Sequence, residues 1–124
     1  MDQVAIDHFT LNAVTEEGYA AVLLMVDICT GFVFLRPVKD YTAAEALRAL
    51  MEVFTMFGFP KRIQSDNGTA FVNDMMKEFV MSVGIEQRTA TAYHPRGNGA
   101  AEIRVKQAKL LLKKICVIGD STVK

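Results

Sequence analysis

The first third of the chain carries its apolar residues in short runs bounded by turn formers. Val4-Ala5-Ile6 leads into Asp7, Tyr19 to Val26 is a long apolar run, and Gly31 to Leu35 is rich in Phe and Val. These read as three strands. Asp27-Ile28-Cys29-Thr30-Gly31 joins the last two as a hairpin turn, with Asp27 stabilising it, and Pro37 closes the third strand. The period then changes. Leu47, Leu50, Met51, Phe54 and Phe57 recur at helical spacing after Thr42, an N-cap with Glu45 in capping-box position, and Gly58 is the stop. A short strand, Arg62 to Ser65, runs into the turn Asp66-Asn67-Gly68. A second helix follows over about Asn73 to Val83, with Met76, Phe79, Val80 and Val83 inward and Gly84 at its end. Ile85 to Thr89 is a fifth strand. Tyr93 to Gly99 reads as a Pro/Gly loop, and a last helix spans about Ala100 to Ile115. Three strands followed by alternating helices and strands predict an α/β fold: a mixed five-stranded sheet, meander first, flanked by helices.

Composition narrows the class. The chain has 124 residues, 51% apolar and 23% charged, which fits one globular domain over 1–124 that folds without a disulfide or structural metal. No apolar run approaches a membrane span and no signal sequence opens the chain, so an intracellular protein without a membrane partner is expected. Cys29 and Cys116 make no zinc-ligand spacing with His8 or His94 and read as thiols in a reducing compartment. The formal net charge is zero, but it is unevenly spread. Met1 to Pro60 holds three bases against eight acids, net −5, and Lys61 to Lys124 holds eleven against six, net +5. A polyanion-binding face in the second half is therefore compatible with overall neutrality.

Three acids stand where chemistry is expected. Asp7 and Asp66 each follow a strand, and ligands of such sheets gather beyond the strands' carboxyl ends. Glu102 opens the last helix. Singly, these are ordinary turn or helix-terminus residues. Further along that helix, Glu102, Lys106, Lys109 and Lys113 fall within about 60° of one another. Val105, Ala108, Leu112 and Ile115 form an apolar stripe roughly 100° away, so the lysine row is expected to face outward. A solvated face is the ordinary explanation of such a row.

The flanking residues turn these pieces into a pattern. Thirty-five positions separate Asp66 from Glu102, bracketed by Ser65-Asp66-Asn67-Gly68-Thr69 with Phe71, and by His94-Pro95-Arg96-Gly97-Asn98-Gly99-Ala100-Ala101-Glu102. From about Val4 to Ile115 the chain closely resembles the catalytic core of retroviral and retrotransposon integrases, which carry two aspartates and a glutamate. The resemblance is strongest from Pro60 to Glu102. It implies a ribonuclease H-like fold and DNA 3′-end processing and strand transfer. Asp7, Asp66 and Glu102 would be catalytic and metal-binding, the aspartates sharing two Mg²⁺ or Mn²⁺ ions and Glu102 completing one site. Clustered carboxylates repel one another unless cations sit among them, and hard oxygen donors suit these ions. Lys106, Lys109 and Lys113 would then hold DNA phosphates, and Asn98 would touch DNA near the reacting phosphate. Gly97 and Gly99 imply a mobile loop, His94 a hydrogen-bonding brace within it, and Asn67 a group orienting Asp66. The implied partners are element-end and target DNA, a second copy meeting Ile103 and Leu110, and a host chromatin-associated protein, in the nucleus or a virus-like particle.

Three departures accompany the resemblance. Val105 stands where relatives commonly carry Asn, the N-terminal zinc module and C-terminal DNA-binding module are absent, and the chain ends soon after the glutamate helix. An isolated core is expected, either an excised fragment or a degenerate copy. The rival reading is a catalytically weak or inactive module kept for dimerisation or host-protein binding. A structure-selective nuclease of the same fold is disfavoured by the His94-to-Gly99 segment.

Overall fold

A computed structural model describes residues 2–11, 13–89 and 95–123, with side chains in the last stretch for 99 and 101–115. The elements follow the predicted order: β1 (Gln3–Thr10), β2 (Ala21–Asp27), β3 (Val33–Val38), α1 (Ala43–Phe57), β4 (Arg62–Ser65), α2 (Asp74–Val83), β5 (Glu86–Thr89) and α3 (Pro95–Val123). The strands form one sheet in the order β3-β2-β1-β4-β5. The three-strand meander is antiparallel, and β4 and β5 add to it in parallel.

The unbroken apolar run of β2 reflects burial on both faces. Leu23 and Met25 join the larger core with Ala46, Leu50, Val53 and Phe54 of α1 and Met76 and Val80 of α2. Leu24 and Val26 point the other way, onto Ala108 and Leu112 of α3, with Phe9, Val33 and Val105 packed around them. Thus α3 rests on the sheet face opposite α1 and α2. Of its expected apolar stripe, Ile115 is exposed.

Local signals start and stop the helices largely as read. Thr42 Oγ1 accepts the Glu45 N–H at 3.3 Å, and Asn73 Oδ1 accepts that of Met76 at 2.8 Å. The capping box at α1 is only half formed, because the Glu45 carboxylate takes the Lys39 N–H instead. Gly84 ends α2 in the left-handed conformation, φ +77°, a position that suits glycine.

Several boundaries differ from expectation, among them the end of the last helix, which runs on to Val123 instead of stopping at Ile115. The third strand is Val33–Val38 and contains Pro37, which is accommodated because β3 is an edge. β1 continues three residues past Asp7, since its pairing with β2 runs on to Thr10↔Ala21. The last helix begins at Pro95 and includes Gly97 and Gly99, which correct the expected loop. Proline is pre-organised for a first helical position, and first-turn N–H groups need no intrahelical partner, so Pro95 outweighs the glycines.

Leu24 is fully buried between sheet and α3, whereas Ile115 is 55% exposed. Leu24→Ala is expected to cost about 2–5 kcal/mol in urea unfolding, and Ile115→Ala less than about 0.5 kcal/mol.

Candidate active site

The parallel pairing of β1 with β4 matches Gln3 with Arg62, Val4 with Ile63 and Ala5 with Gln64. Two residues further in that register, Asp7 stands level with Asp66. Asp7 is interior to β1 rather than at its end, which corrects the expectation, but it lies beyond the part of β1 that β4 covers. Both aspartates therefore flank the place where β4 stops. Side chains alternate along β1, so Ala5, Asp7 and Phe9 face α3.

Each aspartate is oriented by backbone. Asp7 Oδ1 accepts the His8 N–H at 2.8 Å, and Asp66 Oδ1 accepts the Gly68 N–H at 2.8 Å. A Cβ at Gly68 would come within 2.9 Å of that Asp66 oxygen, so a larger residue there would push the carboxylate out of its present position. The group that holds Asp66 is thus Gly68, while the exposed Asn67, expected to orient it, is not the donor.

A cavity of about 490 Å³ opens between these strands and α3. Asp7, Asp66, Glu102, Lys106, Lys109 and Lys113 all line it, with Phe9, Val105 and Leu110 as apolar wall. Glu102, Lys106 and Lys113 are exposed. Lys109 departs from the expected outward row: its Nζ lies 2.6 Å from Asp7 Oδ2, both side chains about one-third exposed. Among the described residues no three acids already stand close enough to share one metal ion. Of the other expected site residues, His94 lies outside the described residues, as does the side chain of Asn98, whose backbone is helical with that of Gly97 and Gly99.

Val105 packs with the apolar cluster beneath α3 besides lining the cavity. Its role is to seat the helix. Nine residues past Pro95 on the same helix, Arg104 lies over the hairpin turn, where a Cβ at Gly31 would meet its guanidinium at 2.5 Å. Gly31 is at φ +80°, and Asp27 Oδ1 accepts the Cys29 N–H, so the turn is built as expected.

Sequence reasoning passed over His8. Its ring stacks on Phe71 at 4.8 Å and meets Tyr41 edge-on at 4.7 Å, and its buried Nε2 has no hydrogen-bond partner among the described residues. Burial lowers its pKa from 6.5, outweighing Asp7 and Asp66, which raise it. The period of β1 carries the signal for this position, since Val4, Ile6 and His8 share the core-facing side.

A family model described as integrase core domain matches residues 2–95. The Pro-Pol polyprotein of Simian foamy virus type 3 (strain LK3) is 37% identical over 100 residues, 81% of this chain but only 9% of that protein. The chain thus spans about a tenth of the length of such relatives. Among solved structures, the catalytic core domain of BIV integrase superposes with a TM-score of 0.69 at 19% identity, over 86% of this chain and 66% of that one. The HTLV-2 integrase catalytic core domain, solved in complex with magnesium in a dimeric form, gives 0.64 at 25% identity, over 74% and 62%.

A neutral His8 in the fold makes stability pH-dependent. Its folded pKa is below the unfolded value of 6.5, so the unfolded chain takes up the proton first. Stability is therefore complete above that value and declines as the pH falls through and below it. With chelator present, the urea midpoint should drop between about pH 7.5 and about pH 5.5, and His8→Phe should flatten that drop.

Proposed function

The chain belongs to the integrase core family and has its ribonuclease H-like fold, and from that membership we propose that it is the catalytic core, within 1–124, of a polynucleotidyl transferase acting on DNA ends. The observation that carries the reading is one cavity lined by Asp7, Asp66, Glu102 and three lysines. Carboxylate oxygens are the donors Mg²⁺ and Mn²⁺ prefer, and a cation, the Lys109 ammonium, already stands against Asp7, so the donor set fits divalent ions. Asp7 and Asp66 would hold two ions and Glu102 would complete one site. When bound, such a pair supplies Lewis-acid activation of the attacking oxygen and stabilisation of the leaving one.

The chain's own groups do the positioning. The His8 and Gly68 N–H groups fix one oxygen of each aspartate. Lys106 and Lys113, exposed along α3 with Lys109 between them, hold successive phosphates, and Asn98 contacts DNA nearer the reacting phosphate. Phe9 and Val105 supply an apolar part of the cavity wall, which strengthens the electrostatic contacts beside it. Water is the nucleophile in 3′-end processing, and a DNA 3′-hydroxyl in strand transfer. The same reading includes a homodimer through the exposed Ile103 and Leu110 of α3, and a host chromatin-associated partner in the nucleus or a virus-like particle.

One observation favours the alternative of a non-catalytic dimerisation module: no three acids among the described residues are yet grouped for one ion. Mn²⁺ binding that is lost in Asp66→Asn supports the enzyme, and no binding supports the module.

In a strand-transfer and disintegration assay with Mn²⁺, Asp66→Asn and Glu102→Gln should abolish activity, while metal-free DNA binding by Glu102→Gln holds or improves. Lys106→Ala should weaken DNA binding about equally across sequences and reduce the slope of log K against log salt by about 1. An unchanged slope would assign the row to solvent. Sedimentation at micromolar concentration should show a dimer, shifted toward monomer by Leu110→Asp.

A further inference from the structure

We propose that Lys109 is a resident cation of the site, one that gives up Asp7 to an incoming divalent ion and passes to a DNA phosphate, coupling the two binding events. The inference rests on the functional reading above and goes beyond it by giving one lysine two successive partners. Asp7 Oδ1 is already bound to the His8 N–H, and Oδ2 is the oxygen that Lys109 Nζ meets at 2.6 Å. An ion bonded to Oδ2 at about 2.1 Å would crowd an ammonium held on the same oxygen, and two cations so close repel. The pair is partly buried, which limits screening of that repulsion by salt.

Released from Asp7, the ammonium has a defined alternative. Lys106 and Lys113, one turn to either side on the same face of α3, line the same cavity. Lys109 completes the row between them. The cavity's formal charge points the same way, since three carboxylates and three ammoniums line it. Without ions it is balanced; with two divalent ions it gains four positive charges, which polyanionic phosphates neutralise. Metal then favours DNA, and by reciprocity DNA favours metal.

The test uses the whole chain, Mn²⁺ as the metal and a short blunt DNA duplex, with Mn²⁺ affinity read by electron paramagnetic resonance and DNA affinity by fluorescence anisotropy at fixed ionic strength. Without DNA, Lys109→Gln should bind Mn²⁺ about 3–10-fold more tightly than wild type, because no ammonium has to leave. Lys109→Arg, which keeps the cation, should gain nothing. Lys114→Gln, a charge loss on the same helix outside the cavity, should change Mn²⁺ affinity less than about 2-fold. The factor by which Mn²⁺ tightens DNA binding should shrink in Lys109→Gln relative to wild type. Equal Mn²⁺ affinity in wild type and Lys109→Gln, or an undiminished coupling factor, overturns the exchange while leaving the metal site intact. No Mn²⁺ binding by wild type, in contrast, overturns the functional reading and this inference together.

Discussion

The parallel pairing of β1 with β4 is the constraint on which the rest of the site depends. Three matched pairs, ending at Ala5↔Gln64, set the level at which Asp7 and Asp66 stand, although 58 residues of chain lie between them. A slip of one residue would turn the Asp7 side chain into the core and that of Ile6 onto the α3 face. The larger hydrophobic core forbids that slip, because Val4, Ile6 and Ile63 are all but fully buried on the face covered by α1 and α2. Packing on one face of the sheet thereby fixes where the two aspartates stand.

The second sheet face supplies the remaining site residues through α3, and here packing and charge share one short stretch of helix. Val105, Ala108 and Leu112 seat the helix on Leu24 and Val26, while Glu102, Lys106, Lys109 and Lys113 stand beside them at the cavity. Val105 serves both sides. Its apolar side chain gives α3 an extra anchor near the glutamate at a position where a polar group would have to be satisfied by hydrogen bonds. The ion pair between Lys109 and Asp7 adds a direct tie from this helix to β1.

Much of this was legible in the residues, and the misses have physical causes. The element order followed from periodicity, and Asp66 stood out by its turn; Glu102 was read as opening the last helix, whereas α3 starts seven residues before it at Pro95. β1 looked shorter than it is because Asp7 and His8 interrupt its apolar run, yet a strand needs only its ladder partner, and β2 supplies one as far as Thr10. The glycines at 97 and 99 read as a loop because local propensity weighs against helix, whereas Pro95 starts one ahead of them. A helical wheel placed Lys109 on the right row but could not give its partner. The carboxylate beneath it comes from a strand some hundred residues earlier, and only the packed sheet brings the two together.

Pro37 has a consequence at the outer edge of the sheet. It offers no N–H, and its carbonyl already accepts the Arg48 guanidinium at 2.8 Å from α1. A strand arriving from another molecule would find neither group of this residue free, within an edge strand only six residues long. Extending the sheet from copy to copy is disfavoured along β3, so the fold discourages fibre-like stacking at that edge.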